Sequence, residues 1–535
     1  MRTARERAVL LLILTAYVCY ALAFIYRTSF VVDGVRYFAL FDDAMISMRF
    51  AKNFAAGLGF VYNAGGPRVE GFTNPLWTVY MAAVHLLPIP AEKISLVIQL
   101  TGAACLAGTV AIVWRLALRA ARGSILCAAA AACFTAFYLP LNNWTLQGFE
   151  VGPLALIVTL AVWRSSEALR QDRFDPVPYT LFAVATLFRF DALVPTIAVT
   201  AVMAFFDRRH RTQHLLFGVV GIGILTLAQT GARLAYFGYP FPNTYYLKMT
   251  GYPAWMRIAR GALVLLAFVW RLNVVVCAAA ALVVLARWKE PMMWLLATTI
   301  AAVVAYSVYV GGDAWEWWGG SNRYISLVMP LFFVLVASAI HETSLRAFGK
   351  PPSGWAGAAA VGVFAIGALL NFNFLRQATS LREFALIDRP FTVLETAQYV
   401  RTARTLDRVI DPSTTIAVVQ AGTLPYFLGH NVIDMLGKND VRIAHEPMHM
   451  AKTAGLHQIK DFFPGHMKWD FAYAVREEQP DVVIELSRFP DEALPYVKGE
   501  YLLWRGGGAT TFYVRRGSPR LDWSALEHAG ALSEP

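Results

Sequence analysis

Charged residues are scarce in this chain of 535 residues. Asp, Glu, Lys and Arg make up 16% of it, whereas soluble domains usually contain roughly 25%. Hydrophobic residues make up 57%, and the mean hydropathy is +0.48. This composition excludes an ordinary soluble enzyme and predicts a membrane protein.

Cysteine is also scarce. The five cysteines all lie in apolar runs, and the last of them is Cys277. Such positions are typical of small buried side chains, so no disulfide framework is expected. The others are Cys19, Cys105, Cys127 and Cys133.

Several functional signatures are absent or interrupted. No Gly-rich loop followed by Lys and Ser or Thr is present, which argues against a nucleotide site of that kind. No internal repeat is visible, which argues against a secondary transporter. The segment "HEPMH" (445–449) matches a two-histidine zinc signature, but Pro447 disfavours the continuous helix that this signature needs. We therefore predict no metal site and no cofactor, although a requirement for a divalent cation stays open.

Long apolar runs fill the chain as far as Phe372, and charges and short alternating segments follow. We predict a polytopic membrane domain over 1–372 and a soluble α/β domain over 373–535. The expected strands are 414–419, 431–436, 481–486 and 510–516, with a helix over 391–409. The expected spans are 8–26, 94–114, 123–141, 149–164, 176–189, 191–206, 214–237, 262–286, 291–310, 325–341 and 354–372, with 73–90 as a doubtful twelfth.

The connecting segments fall into two kinds. Short basic segments contain Arg115, Arg119 and Arg122, or Arg287 and Lys289, and the positive-inside rule places them in the cytoplasm. This placement explains the net charge of +11 without a nucleic-acid partner. The longer aromatic segments, and the C-terminal domain with them, are then extracytoplasmic. They are 27–72, 142–150, 189–191, 238–258 and 311–324.

Two further expectations follow from the topology. The N-terminal apolar run has no small-residue cleavage site near its end, so we expect an uncleaved span with its N-terminus inside. An odd number of crossings must separate 27–72 from Arg115. Either 73–90 is re-entrant or interfacial, which we expect because it is short and bounded by prolines, or the basic segment 115–122 breaks the positive-inside rule.

Asp42 and Asp43 begin an amphipathic segment in the first outer loop. We expect a juxtamembrane helix there, with Arg49 and Lys52 reaching lipid headgroups. One carboxylate could simply cap the helix, and the other could act as the general base for a sugar hydroxyl.

The other outer segments supply carboxylates, cations and aromatic side chains. Arg189 and Asp191 could bind a ligand or simply form a mutual ion pair in a tight turn. The loop with Asn243, Tyr245 and Lys248 could equally be an interfacial aromatic belt. Aromatics beside carboxylates suit sugars, and cations suit phosphate, so we predict an outer cleft for a membrane-embedded polyprenyl-phosphate sugar. The same cleft would contain Glu150, Asp313, Trp315 and Arg323.

Several of these segments together resemble a known family. They are Asp42-Asp43-Ala44, Arg49, "GLGFVYN", "VEGFTNPLW", "GFE", "RFD", "PNTYYLK", "GGD" with a later Arg, "IDMLGKND" and "PGHMKWD". In combination they resemble the terminal arabinofuranosyltransferases of the actinobacterial cell wall and the pilin arabinofuranosyltransferase, from the first loop to about Asp481.

The resemblance implies a GT-C glycosyltransferase fold and a decaprenyl- or undecaprenyl-phosphate arabinofuranose donor. It implies a catalytic role for Asp42 or Asp43, and donor-phosphate binding by Arg189, Lys248 and Arg323. Sugar or acceptor binding would fall to Glu70, Asn74, Glu150, Asp191, Asn243, Tyr245, Asp313 and Trp315. The family usually has Pro where Phe190 stands and Met where Phe149 stands, which leaves the sugar open.

We therefore expect an enzyme of the bacterial inner membrane with an extracytoplasmic active site. Its partners would be the lipid-linked donor, a glycan or glycoprotein acceptor of the cell envelope, and membrane lipid. The alternatives are a GT-C transferase for another polyprenyl-linked sugar, and a transporter of lipid-linked sugar. A transporter would need ionisable residues along a path at mid-membrane, whereas here they lie mainly at one boundary.

Overall fold

The computed structural model describes residues 4–316, 322–449, 456–486, 490–507 and 510–535. Helices dominate the described chain. They are α1 (Ala4–Thr28), α2 (Asp42–Ala55), α3 (Pro75–His85), α4 (Ala91–Ala120), α5 (Ile125–Ala136), α6 (Leu139–Leu146), α7 (Val151–Arg170), α8 (Val177–Phe188), α9 (Leu193–Phe206), α10 (Arg211–Leu215), α11 (Ile222–Phe237), α12 (Asn243–Met249), α13 (Ala254–Leu272), α14 (Val274–Ala286), α15 (Pro291–Tyr309), α16 (Arg323–Ser326), α17 (Met329–Phe348), α18 (Gly354–Phe372), α19 (Ala378–Phe384), α20 (Val393–Leu406), α21 (Thr423–Leu428), α22 (Val441–His445), α23 (Leu456–Lys460), α24 (Pro490–Val497) and α25 (Trp523–Ala529).

The described residues form nine strands, of which all but β3 belong to a hairpin or to a mixed six-stranded sheet. They are β1 (Phe30–Val32), β2 (Val35–Tyr37), β3 (Leu375–Gln377), β4 (Thr415–Val418), β5 (Asn431–Asp434), β6 (Val482–Val483), β7 (Tyr501–Gly506), β8 (Thr511–Arg515) and β9 (Gly530–Ser533). The hairpin is β1 with β2, and the order in the sheet is β5-β4-β6-β8-β7-β9. Strand β4 pairs in parallel with β5 and β6, and the remaining pairs are antiparallel.

The predicted strands are confirmed as β4, β5, β6 and β8, and the predicted helix over 391–409 is confirmed as α20. Strands β7 and β9 were not predicted. The sheet packs around a buried apolar core that includes Ile416, Trp504 and Phe512.

In the part of the chain that the structure describes, six helical segments are long and apolar enough to cross a membrane. They are α1, α4, Arg211–Phe237, α15, α17 and α18, and the number rises to eight if two bent helix pairs count as one span each. The bent pairs are α5 with α6, at 46°, and α12 with α13, at 87°. The expectation of a multi-pass helical membrane protein is confirmed.

Two expected segments are wrong and one is supported. The expected span 262–286 is broken at Asn273, whose φ is 92°, so that α13 and α14 are separate helices. The expected loop 142–150 contains the last turns of α6. Helix α3 has 11 residues, about 16 Å, which is too short to cross the roughly 30 Å of a bilayer core and agrees with a segment that does not span.

The chain forms two compact units. The first, here called the helical unit, contains 1–27, 98–229 and 254–391. The second, here called the mixed unit, contains 28–97, 230–253 and 392–535 and includes the six-stranded sheet. The division predicted at residue 373 concerns which part lies in the membrane and stays a prediction.

The predicted cytoplasmic segments meet at one end of the helical unit. Arg287 donates a hydrogen bond to the carbonyl of Ala120, 2.5 Å away, at the end of α4. Arg122 forms ion pairs with Glu290 at 3.5 Å and with Glu342 at 3.7 Å. The basic ends of α4, α14 and α17 therefore lie together, as alternating crossings require.

Candidate active site

Asp42 and Asp43 occupy the first turn of α2, which confirms the predicted amphipathic helix. Neither carboxylate caps it, because the N-cap residue is Phe41 and no side-chain cap bond is present. Asp42 instead accepts hydrogen bonds from the backbone N–H groups of Thr423, at 2.7 Å, and Gly422, at 3.1 Å. The capping alternative is therefore wrong, and both carboxylates bond to residues distant in sequence.

Residue 422 has to be glycine for this contact to form. A Cβ atom there would lie 1.8 Å from the carbonyl oxygen of Asp42. Real Cβ atoms essentially never come this close to another heavy atom, so only glycine lets the start of α21 approach the start of α2.

Asp43 forms an ion pair with Lys438, and both side chains are 13% exposed. The pKa of Asp42 is raised to about 6, chiefly by burial and in part by the neighbouring charge of Asp43. The Thr423 N–H and the Lys438 ammonium act in the opposite direction. The two adjacent carboxylates thus differ, since Asp43 has a cationic partner and Asp42 has a pKa close to neutral pH.

Lys438 is a candidate functional residue that the sequence reasoning missed. It lies in "IDMLGKND", a segment that is part of the family resemblance but contains none of the predicted site residues. A signal was present, since this lysine stands in a polar turn directly after the apolar strand β5. Its contact with Asp43, 395 positions earlier in the chain, is visible only in the fold.

Asn243 holds the Lys438 turn in place. Its side-chain amide donates to the carbonyls of Gly437 at 2.9 Å and of Lys438 and Asp440 at 3.0 Å. Asp434 completes the turn by accepting from the backbone N–H of Asn439 at 2.9 Å. Asn243, predicted to bind sugar or acceptor, thus organises the turn that carries Lys438.

Glu70 and Asn74 are both buried in the mixed unit. Glu70 accepts from Nε of Arg233 at 3.0 and 3.1 Å, and burial raises the pKa of Glu70 to about 7 against the opposing effect of Arg233. Asn74 accepts from the hydroxyls of Ser47, at 2.9 Å, and Thr78, at 3.1 Å. Asn74 therefore links α2 to α3.

Tyr245 and Lys248 lie on α12. Tyr245 is exposed and stacks on Phe241 with ring centroids 4.5 Å apart. Lys248 packs along the backbone at Gly465, where a Cβ atom would lie 2.9 Å from the lysine Cε. Lys468, which like Gly465 belongs to the segment "PGHMKWD", is fully buried and donates to the carbonyl of Ala444 at 2.8 Å.

Arg49 is buried, so the expectation that it reaches lipid headgroups is wrong. Its guanidinium donates to the carbonyls of Tyr62 at 2.6 Å, Pro425 at 2.5 Å and His430 at 2.6 Å. Burial lowers the pKa of Arg49. Lys52 likewise bonds within the protein, donating to the carbonyl of Tyr426 at 3.2 Å.

The helical unit contains a second polar cluster. Arg189 donates to both oxygens of Asp191, at 2.9 and 2.5 Å, and to Glu150 at 2.9 Å. The ring of Tyr324 lies 5.1 Å from this guanidinium. The predicted Arg–Asp pair is therefore present, and Glu150 joins it. A ligand role for these residues stays a prediction.

Arg323 and Asp313 extend this cluster. The guanidinium of Arg323 donates to Asp313 at 2.7 and 3.0 Å and lies over the rings of Trp144 and Phe149, at 5.2 and 5.0 Å. A small cavity is lined by Arg189, Asp191 and Arg323 together with Tyr306 and Tyr324. The structure thus brings together three of the sequence segments predicted to be extracytoplasmic, namely 142–150, 189–191 and 311–324.

Trp315 lies apart from this cavity lining. Its ring centroid is 6.4 Å from that of Phe391. Trp317 and Trp318 lie outside the described residues.

The described residues contain no group of His, Cys, Asp or Glu side chains suited to a metal ion. The helix α22 ends at His445, and Glu446 is extended with φ −60° and ψ 157°. The helical geometry of a zinc-protease signature is therefore not formed at "HEPMH".

Similarity to solved structures extends over nearly the whole chain. ArnT from Cupriavidus metallidurans in the apo state has a TM-score of 0.56 and 14% identity, covering 98% of this chain and 99% of that one. The apo oligosaccharyltransferase of Archaeoglobus fulgidus has a TM-score of 0.59 and 10% identity, covering 96% and 75%. The fold is that of GT-C glycosyltransferases.

A second ArnT structure, with undecaprenyl phosphate bound, has a TM-score of 0.53 and 14% identity, covering 94% of this chain and 98% of that one. In sequence, residues 389–524 match a family described as a domain of unknown function (DUF8728). No curated protein matches the sequence.

Proposed function

We propose that the protein transfers a sugar, arabinofuranose, from a polyprenyl-phosphate donor to a hydroxyl group of a cell-envelope glycan or protein, on the extracytoplasmic side of the bacterial inner membrane. The observation that carries this proposal is the pair Asp42 and Asp43 in a GT-C fold, with Lys438 on one carboxylate and two backbone N–H groups on the other.

The proposed base is Asp42. The acceptor oxygen attacks the anomeric carbon, the bond from that carbon to the phosphate oxygen breaks, and the polyprenyl phosphate leaves with the electron pair. The proton of the acceptor hydroxyl passes to Asp42, whose raised pKa makes it a stronger base than an ordinary aspartate. Asp43 and Lys438 position the first turn of α2 beside it.

The donor is proposed from two observations. The similar ArnT structure contains undecaprenyl phosphate, and the motifs of this chain resemble arabinofuranosyltransferases. We propose that Arg189 and Arg323, which line one cavity of the helical unit, contact the donor phosphate. Phosphate binding by Lys248 of the mixed unit stays a prediction. Carboxylates already neutralise both arginines, so a phosphate at this cluster competes with Asp191 and Asp313 for their N–H groups.

The location of the charged residues supports an enzyme over a transporter of lipid-linked sugar. Glu150 precedes the first residue of α7, Arg189 follows the last residue of α8, and Arg323 begins α16. A transport path would need such groups within the spans, at mid-membrane.

The test is transfer by the purified protein from synthetic polyprenyl-phosphate arabinofuranose to an oligosaccharide acceptor. Asp42→Asn and Asp43→Asn are compared with the control Asp407→Asn, which removes a half-exposed carboxylate from the same unit. We expect wild type and control to be active, and Asp42→Asn to lose about 100-fold or more in rate, as is usual when a general base is removed.

Two other results would change the proposal. Activity of wild type only with a different polyprenyl-linked sugar would replace arabinofuranose and leave the reaction class standing. Equal rates in all four proteins would show that the aspartate pair has no part in the transfer.

A further inference from the structure

Helix α13 does not continue into α14. Asn273 separates them with a φ of 92°, and its side chain accepts hydrogen bonds from the backbone N–H groups of Val275, at 2.9 Å, and Val276, at 3.3 Å. Asn273 thus ends one helix and caps the next one. An apolar sequence long enough for one span is thereby divided.

The N-terminal half of α13 contacts the end of α15. Arg257 donates to the carbonyl of Tyr309 at 2.8 Å, and Arg260 donates to that of Asp313 at 3.1 Å. A Cβ atom at Gly261 would lie 2.2 Å from the carbonyl oxygen of Val308, so the two backbones touch.

The C-terminal end of α13 contacts the end of α18. Asn371 donates to the carbonyl of Arg271 at 2.9 Å and accepts from Asn273 at 3.3 Å. The ends of α15 and α18 lie on the same side of the helical unit, because the end of α18 meets the beginning of α17 and the end of α15 meets the segment that leads into α17. Ring centroids of Phe333 and Phe372 are 5.5 Å apart. Asn322, before α16, donates to Ser307 near the end of α15 at 2.8 Å.

Helix α13 therefore lies along one end of the helical unit and does not cross it. It is 19 residues, about 28 Å, long. Its outward side chains are strongly exposed, with Trp270 at 77% and Leu266 at 69%. An amphipathic helix with such a face lies in the interface of a bilayer, where tryptophan is also favoured.

A cavity of about 920 Å³ opens where α13 ends. Its wall contains the arginines Arg271 and Arg376 and the amides of Asn273, Asn371 and Gln377. The remaining lining residues are apolar, and the lining contains no carboxylate. The apolar lining residues are Trp270, Val274, Val275, Leu370, Phe374, Leu375 and Leu381.

We propose that this cavity binds the headgroup of an anionic phospholipid. Guanidinium groups form bidentate hydrogen bonds with phosphate, and side-chain amides can donate to its remaining oxygens. Arg376 is 3.9 Å from Glu383, a distance at which their pairing is weak and leaves the cation able to bind phosphate. The acyl chains would lie along Trp270, Val275 and Leu370.

Phospholipid fits this cavity better than the sugar donor does. The proposed transfer needs a carboxylate as its general base, and the lining of this cavity supplies none. The inference depends only on the membrane location of the protein, so it stands or fails separately from sugar transfer.

The test is native mass spectrometry of the detergent-purified protein after incubation with equal amounts of phosphatidylglycerol and phosphatidylcholine. The variants are Arg271→Gln with Arg376→Gln, the same pair changed to Lys, and the control pair Arg505→Gln with Arg516→Gln on the sheet of the mixed unit. We expect the Gln pair to lose bound phosphatidylglycerol by about tenfold relative to wild type, and the Lys pair to retain most of it. The control should match wild type.

Equal lipid retention in the Gln pair and the control would overturn the proposal. Displacement of phosphatidylglycerol by equimolar undecaprenyl phosphate would assign the cavity to the polyprenyl lipid instead, and would also overturn it. If the Gln pair does not fold, a photo-crosslinking residue at position 275, which is 75% exposed, gives the second measurement. Crosslinking to phosphatidylcholine as strong as that to phosphatidylglycerol contradicts an anionic headgroup site.

Discussion

At the scale of single residues, Asp42 shows how the fold changes the chemistry of a side chain. Two backbone N–H groups donate hydrogen bonds to its carboxylate, yet burial still raises its pKa to about 6. A carboxylate that acts as a base must be ionised, so the proposed role of Asp42 makes the rate at low pH depend on its ionised fraction.

We therefore predict that the transfer rate rises with pH through a midpoint near 6 and levels off above it. The measurement is the initial rate at saturating donor between pH 5 and 8. In Asp42→Glu, any residual activity should show a shifted midpoint. The longer side chain moves the carboxylate away from the N–H groups of Gly422 and Thr423, so it loses the hydrogen bonds that they donate. A midpoint that is unchanged in that variant would assign the titration to another group.

Tyr399 lies between two carboxylates of the mixed unit. Its hydroxyl is 3.2 Å from Glu485 and 3.4 Å from Glu395. A hydroxyl has one proton to donate, so the tyrosine can donate to only one of the two carboxyl groups. The other carboxyl group must be protonated to hydrogen-bond to the same hydroxyl. Burial, with the nearby charges of Glu395 and Asp42, raises the pKa of Glu485 to about 7.

A raised folded-state pKa means that the folded protein binds more protons than the unfolded chain between about pH 4.5 and 7. Stability from this group is therefore full at low pH and decreases as the pH rises through 7, by up to about 3 kcal/mol. We predict that Glu485→Gln, which keeps a partner for Tyr399, raises the apparent melting temperature at pH 8 and leaves it nearly unchanged at pH 5. The comparison is with Glu527→Gln, an exposed carboxylate, and equal shifts at both pH values would contradict the prediction.

At the scale of elements, the turn after β5 depends on Asn243 of α12. Asn243→Ala leaves three carbonyl groups without their donor, and each buried unpaired group costs about 1–3 kcal/mol. We predict faster hydrogen exchange in residues 437–440 and lower transfer activity, because Lys438 loses its fixed position. The control Asp407→Asn, in the same unit, should change neither the exchange nor the activity. Unaltered exchange in Asn243→Ala would contradict its positioning role.

A second prediction at this scale concerns the contact between Gly422, before α21, and Asp42 of α2. Gly422→Ala places a methyl group 1.8 Å from the carbonyl oxygen of Asp42, so α21 must move away from α2. We predict loss of activity with a lowered melting temperature. Gly429→Ala at the other end of α21 is the comparison, since no atom lies within 4 Å of its added methyl group and only its φ of 79° is strained. Equal activity in the two variants would show that the contact at Asp42 is not needed.

The elements also show what sequence could predict. The alternation of side chains in "TTIAVV" and "TTFYVRR" was sufficient to predict strands β4 and β8. The two aspartates before an amphipathic segment were sufficient to predict helix α2. Strand β9, "GALS", was missed because Gly, Ala and Ser have low strand propensity and its pairing with β7 comes from tertiary structure. The break at Asn273 was missed because a single Asn between apolar runs does not by itself predict a positive φ.

The candidate site was predictable only where its residues act locally. Asp42 and Asp43 stood out by their position before an apolar face, and Arg189 with Asp191 by their charge between two apolar runs. The partners of the aspartates, Gly422 and Lys438, are 380 and 395 positions away, so periodicity and charge patterns contain no information about those contacts.

At the scale of the whole molecule, the basic ends of α4, α14 and α17 meet at one end of the helical unit, and the Arg189 and Arg323 clusters lie at helix ends outside that group. We predict that a cysteine at Arg209 reacts with a membrane-impermeant maleimide only after the cytoplasmic side is opened. A cysteine at Asp407 should react in intact cells. The opposite pattern would invert the predicted orientation.

The bond from Gly422 to Asp42 has a consequence for biogenesis. Gly422 follows Asp42 by 380 positions and Lys438 follows Asp43 by 395, so the carboxylates stay without these partners until the ribosome has added the later segments. A nascent chain therefore cannot assemble the aspartate pair while its first helices are being made. The contacts of the pair form late in biogenesis, after most of the helices that lie between them in the sequence have been synthesised.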